Sequence, residues 1–250
     1  MSTSASSSPS PLVQAAEALA RAHHANYDPS HDIHHIQRVR LLALSIARSL
    51  SPPSSSPSSP PVDLLVVELA ALCHDLLDAK YLPRGGSTAA ADVLRPLWDL
   101  HGEGEGFGRD RQELVERVVE NVSYSKEVKR VREGRQTPWH EECRELHCVH
   151  DADKLDAIGA FGILRCAAYS SHANRALYLP PPASNLALAP GAPAPEGNDS
   201  AIQHFHDKLF KLEGMMRTEK GRELARKRTE SMRRFVEDVE REWAEAVGEV

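Results

Sequence analysis

Residues 62–81 have the sequence VDLLVVELAALCHDLLDAKY, which contains the longest apolar run of the chain. Its first sixteen residues are apolar on nearly every side, which is typical of a helix buried at the centre of a domain. The longest apolar run, Leu64–Cys73, is interrupted by one glutamate and is far shorter than the ~20 residues that span a bilayer. The sequence therefore predicts a buried helix over Val62–Leu77 that carries His74 and Asp75 near its end.

Most of the remaining chain has the pattern of amphipathic helices. His31–Leu50, for example, places Val39, Leu42 and Ile46 on one stripe. Only six Ile and five Thr occur, and no long alternating run is present, so no substantial sheet is expected. We predict an all-α fold. Further helices are expected at Leu12–His23, from Ser87 towards Leu100 with Pro96 bending or dividing it, at Arg109–Val122, Leu146–Ala168, Ala201–Met215 and Thr218–Val247.

Serine and proline mark segments that we expect to lie outside the core. Ser51–Pro61 contains only six Ser and five Pro and has no apolar surface whose burial would offset the entropy of ordering. Six more prolines lie between Pro180 and Pro195, in a segment rich in Pro and Ala. We predict one helical domain over residues 11–250, a disordered tail at 1–10, and disordered insertions at 51–61 and about 171–200.

Composition excludes several classes of protein. The 30 basic and 36 acidic residues give a net charge of −6, whereas proteins that bind nucleic-acid polymers usually present a basic face. No basic residue occurs in the first twenty, so no secretory or transit signal is visible. Four cysteines are too few for a disulfide scaffold. We expect a cytoplasmic protein, with nuclear access left open, that has no membrane or nucleic-acid partner.

Histidines and aspartates are concentrated in three segments: HDIHHIQRV (31–39), LCHDLLDAKY (72–81) and CVHDADKLDAIGAFGILR (148–165). An imidazole and a carboxylate at the end of an apolar helix are costly to bury unless each finds a partner, and a divalent metal supplies one for both. Adjacent helical residues point about 100° apart, so other elements must complete the site. His35 and Asp153 are the candidates. Such nitrogen and oxygen ligands suit Mn, Fe, Ni or Zn.

Taken singly, each of these features has a simpler explanation. His74 and Asp75 could be a hydrogen-bonded pair at a helix end, and the aspartates of the third segment could be solvated or could cap a helix. Cys143, His147, Cys148 and His150 are spaced too closely for a typical zinc site and are expected to include core residues. The segment NVSYSK (121–126) predicts a helix end and a turn.

Together, the three segments resemble the HD-domain superfamily of metal-dependent phosphohydrolases. The resemblance is closest to a small single-domain subgroup with SHDxxHxxRV, LxHDxxD, DADRLDAIGAIGIAR-like and MxTxxGxxxAxxR motifs, which here fall at Ser30–Val39, Leu72–Asp78, Asp151–Arg165 and Met216–Arg228. It covers nearly all of the chain outside the predicted insertions. The resemblance implies one fold, the HD-type helical domain, and a divalent ion that could be Mn, Mg, Fe, Ni, Co or Zn. The implied metal ligands are His35, His74, Asp75 and Asp153.

The resemblance also suggests catalytic and substrate-binding residues. Asp78 follows Asp75 by three residues on the same helix face and is our candidate general acid and base. Related nucleotide hydrolases often have a second acidic residue after this position, where this chain has Ala79. Three cations flank the implied ligands and would bind phosphate oxygens, although each could equally be an ordinary surface charge. They are Arg38, Lys80 and Lys154.

We therefore expect a metal-dependent phosphohydrolase acting on a small nucleotide, with nucleoside triphosphate pyrophosphohydrolase as the specific activity suggested by related proteins. The alternatives are a phosphodiesterase or nucleotide monophosphatase at the same site, and a non-catalytic protein that binds metal or nucleotide. A di-iron oxygenase ranks last, since it needs further ligands where only His101 and His140 occur. The sequence leaves the oligomeric state open.

Overall fold

The structure is a computed structural model that describes residues 10–50, 61–77, 89–101, 106–180 and 199–248. Within these ranges it contains eleven α-helices, one 3-10 helix and no strand, with a single β-bridge between Ala176 and Ser200. The predicted all-α fold is confirmed. The helices are α1 (Pro11–His23), α2 (Ile33–Leu50), α3 (Leu64–Cys73), α4 (Ala90–His101), α5 (Arg109–Asn121), α6 (Tyr124–Arg132), α7 (Pro138–Glu142), α8 (Arg144–Asp156), α9 (Gly159–His172), α10 (Ala201–Asp207) and α11 (Glu219–Val247), with the 3-10 helix at Leu209–Met215.

The chain forms two compact units, of which the first comprises Met1–Asn26 and Ile33–Ala152. Helix α3 is its centre, since it packs against α1, α2 and α5. The carboxylate of Asp63 caps the N-terminus of α3 by accepting hydrogen bonds from the backbone N–H groups of Leu65 and Val66. Seven of the ten residues of α3 are buried, as expected for a helix that is apolar on all sides.

The second unit comprises Tyr27–Asp32 and Asp153–Val250. Its core lies where α9 packs against α10 and α11. The guanidinium group of Arg165 on α9 donates hydrogen bonds to the backbone oxygen of Ser30, at 2.6 Å, and to the carboxylate of Asp156, at 3.2 Å. Arg228 on α11 donates to the backbone oxygen of Leu155. Residues from three of the sequence motifs therefore hold this unit together.

The prediction of one helix over Leu146–Ala168 is wrong, because the chain breaks between α8 and α9. Gly159 has φ +77°, a left-handed conformation that side chains other than glycine rarely adopt. A Cβ atom on Gly162 would lie 2.4 Å from the backbone oxygen of Ala157, so this tight corner also requires glycine there. The apolar pattern continues across the break, which is why the pattern alone did not reveal it.

Other expectations also differ in detail. The helix predicted over Val62–Leu77 is shorter, since α3 ends at Cys73 and His74 and Asp75 lie in the turn that follows it. Pro96 lies within α4, which is not divided. Helices α6 and α7 were not predicted, and the second half of the predicted Ala201–Met215 helix is 3-10. The predicted tail at 1–10 and insertion at 51–61 lie almost wholly outside the described residues, as do 181–198 of the insertion at about 171–200. Ahead of that gap, α9 extends to His172.

Among the described residues, no helix is both long enough and apolar enough to cross a membrane.

Candidate metal centre

The first candidate ligand lies on the buried side of α2. His35 is 0% exposed and lies next to the core residue Ile36, whereas the adjacent His34 is exposed. His31 precedes the helix, and its Nδ1 atom lies 2.6 Å from the hydroxyl of Ser30. Of the three histidines in the first segment, His35 is therefore the one that α2 directs into the interior.

The second and third candidates follow the last residue of α3. The Nδ1 atom of His74 lies 2.8 Å from the backbone oxygen of Ala71. Because a carbonyl oxygen only accepts hydrogen bonds, Nδ1 carries the proton and Nε2 presents a lone pair. Histidines that bind metals are commonly oriented in this way. His74 is 4% exposed, while the Asp75 side chain is 20% exposed and so remains accessible.

The donor atoms of these three residues converge. The Nε2 atom of His35 lies 3.4 Å from one carboxylate oxygen of Asp75, and the Nε2 atom of His74 lies 3.4 Å from the other. The centroids of the two imidazole rings are 5.2 Å apart, and the ring planes are inclined at 75° to each other. Two ligands of one ion at roughly 2.1 Å lie about 3.0 to 3.4 Å from each other in octahedral to tetrahedral geometry. The spacing therefore fits a shared cation.

Asp153 lies on α8, a single helix that runs from Arg144 to Asp156. One donor atom each from His35, His74 and Asp153 form a group in which all pairs lie within 4.8 Å. Imidazole nitrogens with carboxylate oxygens, and no thiolate, are a donor set that suits divalent transition ions more than a closed structural zinc site. The residues present fit a divalent metal ion.

The neighbouring acids have other partners. Asp156 is 1% exposed and forms its ion pair with Arg165, so it fixes the end of α8 in the second unit. Asp151 is wholly buried. His140 caps α7 by accepting from Thr137, and its Nε2 atom lies 3.1 Å from the side-chain oxygen of Asn121. Both ring nitrogens of His140 therefore have polar partners within the first unit, and these contacts do not indicate a second metal site.

Two of the predicted catalytic and substrate-binding residues lie among the described residues, and they differ in exposure. Arg38 lies one turn after His35 on α2 and is partly exposed. Lys154 follows Asp153 and is only 2% exposed. Asp78 and Lys80 lie outside the described residues, so their predicted roles stay predictions.

Sequence reasoning overlooked one buried polar cluster beside α8. His150 is 2% exposed, and its Nε2 atom lies 3.0 Å from the backbone oxygen of Asn121. Its Nδ1 atom faces a carboxylate oxygen of Glu127 at 4.0 Å. His150 stood out in the sequence only as a member of a closely spaced Cys and His group. Glu127 lies in a charged stretch whose pattern is typical of a solvated surface, so nothing signalled its burial.

A model of the HD domain matches residues 32–158. The uncharacterized protein YpgQ of Bacillus subtilis (strain 168) is 31% identical over 212 residues, which are 85% of this chain and 84% of YpgQ. The chain belongs to the HD-domain family. The family resemblance that the sequence motifs indicated is confirmed, and with it the class of enzyme, a metal-dependent phosphohydrolase.

Several solved structures are similar to this chain over most of its length. YpgQ in complex with ADP is 29% identical, and the match covers 91% of this chain and 97% of YpgQ with a TM-score of 0.63. A protein from Lactobacillus plantarum is 28% identical over 95% of this chain and 99% of its own, with a TM-score of 0.68. An HD-superfamily hydrolase from Bacillus thuringiensis is 26% identical over 92% and 96%, with a TM-score of 0.61.

Proposed function

We propose that this HD-domain protein hydrolyses a phosphate ester or anhydride of a small nucleotide, and that it releases pyrophosphate from nucleoside triphosphates. The observation that carries the choice of a nucleotide is the structure of the relative YpgQ with bound ADP. The release of pyrophosphate is proposed by analogy with related small HD proteins.

We propose His35, His74, Asp75 and Asp153 as the ligands of a divalent ion, which could be Mn, Mg, Fe, Ni, Co or Zn. The grouping of donor atoms from His35, His74 and Asp153 supports this assignment, as do the approach of Asp75 to both histidines and the contact of His74 with Ala71. A divalent ion bound there would act as a Lewis acid, lowering the pKa of water and offsetting negative charge on phosphoryl oxygens.

The protein itself supplies proton transfer and charge. We propose that the Asp78 carboxylate accepts a proton from the attacking water and returns it to the leaving oxygen. Arg38, Lys80 and Lys154 would bind phosphate oxygens. Arg38 is the best supported of the three, since it is partly exposed one turn from His35, and its planar guanidinium matches the geometry of phosphate.

We also propose that residues 11–250 form one HD-type domain with insertions, in the cytoplasm. The match to the HD domain at 32–158 includes residues of both compact units, which supports a single functional domain.

The proposal is tested with the purified full chain. Phosphate and pyrophosphate release is measured from nucleoside triphosphates, diphosphates and monophosphates and from a phosphodiester, each with Mn, Co, Ni, Mg or Fe. Pyrophosphate release from a triphosphate supports the proposal, and His74→Ala must abolish it. Cleavage of only a monophosphate or only the phosphodiester would favour those alternative activities. Metal binding without hydrolysis of any of them would indicate a non-catalytic protein.

A further inference from the structure

The cluster around His150 joins three helices of the first unit. Asn121 is the last residue of α5, where backbone oxygens have no donor within the helix. The Nε2 atom of His150 on α8 lies 3.0 Å from that oxygen and must donate, since a carbonyl only accepts. The side-chain oxygen of Asn121 accepts from Arg130 on α6 at 3.1 Å. Asn121 is therefore the point at which α5, α6 and α8 are tied together.

The other ring nitrogen of His150 faces a carboxylate. Nδ1 lies 4.0 Å from an oxygen of Glu127, and both side chains are only 2% exposed. An unprotonated Nδ1 would direct its lone pair at this carboxylate, which is unfavourable. With an acceptor facing each nitrogen, the ring is best accommodated with both protons, as an imidazolium. The negative end of α5 favours a positive charge in the same place.

We propose that Glu127 and His150 are a positioning pair that fixes the rotation of α8 and thereby the direction of Asp153. This inference rests on the proposed function, because it assigns the pair a purpose in metal binding. His150 and Asp153 are three residues apart, on the same side of one continuous helix. Glu127 and Asn121 hold that side of α8 one turn before the proposed ligand.

The nature of the pair favours positioning over simple packing. Burying two charges costs desolvation, so an apolar pair of similar size would stabilise the fold at least as well. An ion pair adds a directional constraint, because both N–H groups of the His150 ring face acceptors only when the ring lies between the α5 terminus and Glu127. A small rotation of α8 would break both interactions at once.

Three variants of the full chain separate these explanations: Glu127→Gln, His150→Gln and the double variant. Each is titrated with Mn²⁺ alone. We expect each single change to weaken Mn²⁺ binding about tenfold, as for other residues that orient metal ligands. The double variant should recover most of the loss, because the amide introduced by His150→Gln can donate to Asn121 and both members of the buried pair become neutral together. Glu142→Gln, which changes an exposed carboxylate on α7, should bind like the wild type.

Nitrogen-15 NMR of the histidine rings gives a readout that packing alone would not move. At about pH 8, above the range in which exposed histidine is protonated, the His150 ring should carry both protons, and Glu127→Gln should remove one. The signal is assigned by its loss in His150→Gln. A neutral His150 ring in the wild type would overturn the proposal.

The outcomes also distinguish this inference from the proposed function. Single variants that bind Mn²⁺ as tightly as the wild type, or a double variant no better than the singles, would overturn the positioning pair alone. A wild-type chain that binds no Mn²⁺, and none of the other candidate ions, would contradict the proposed metal site itself and the pair with it.

Discussion

The Nε2 atom of His35 lies 3.4 Å from a carboxylate oxygen of Asp75, although the two residues are forty positions apart in the sequence. The packing of α2 against α3 creates this contact. The end of α3 already brings His74 next to Asp75, and α2 adds the second imidazole, that of His35. The close approach of donor atoms from separate helices is the structural basis of the proposed metal site.

Replacing Asp78 with Asn tests the proposed proton transfer. The amide keeps the shape of the side chain but cannot accept a proton, so kcat should fall about 10²- to 10⁴-fold while metal content stays unchanged. Steady-state release of pyrophosphate and elemental analysis of the same preparation provide the measurement. Asp110→Asn, an exposed change at the start of α5, is the control. Equal turnover by Asp78→Asn and the wild type would remove Asp78 from the mechanism.

The corner between α8 and α9 predicts the effects of two glycine substitutions. Gly159 and Gly134 have similar positive φ angles of 77° and 65°, but a Cβ atom would lie 2.9 Å from Arg228 at Gly159 and would contact nothing within 4 Å at Gly134. Gly134→Ala should cost only the backbone strain, about 1 to 2 kcal/mol. Gly159→Ala should cost more. Urea unfolding measures both, and equal losses would show that contact with Arg228 has no energetic effect.

The ion pair between Arg165 and Asp156 should stabilise the second unit, so replacing either residue should lower the free energy of unfolding. Arg165→Met removes the charge but keeps much of the volume, and leaves the carboxylate of Asp156, which is 1% exposed, without this cation. Such changes typically cost about 3 to 5 kcal/mol, and because Arg228 also interacts electrostatically with Asp156, we expect the lower end. The double variant with Asp156→Asn should lose less than the sum of the two single changes. Additive losses would indicate that the two residues act independently.

Sequence patterns predicted the longer helices because their apolar residues recur with helical spacing. Helices α6 and α7 were missed for the opposite reason. The nine residues of α6 include five that are charged, and α7 is only five residues long, so the apolar content of both is too low to stand out in the sequence. The break before α9 was missed because Ala157 and Ile158 continue the apolar pattern, and only the backbone conformation of Gly159 reveals the corner.

The candidate site was more predictable than its surroundings. The HxxRV spacing selected His35 from three neighbouring histidines, and the structure buries it while leaving His34 exposed. Asp75 and Asp153 were likewise chosen from their motifs. The pairing of Glu127 with His150 could not be predicted, since it depends on how α6 and α8 pack in three dimensions and Glu127 lies in a charged stretch whose pattern does not indicate burial.

The most direct test of the account is a calorimetric titration of the metal-free full chain with Mn²⁺. We compare the wild type with His35→Ala, His74→Ala and Asp153→Asn, and use His34→Ala as the matched control on α2, with circular dichroism to verify that each variant is folded. We predict tight binding by the wild type and His34→Ala, and its loss in the other three. Binding by folded Asp153→Asn or His74→Ala that is as tight as that of the wild type would contradict the proposed metal centre.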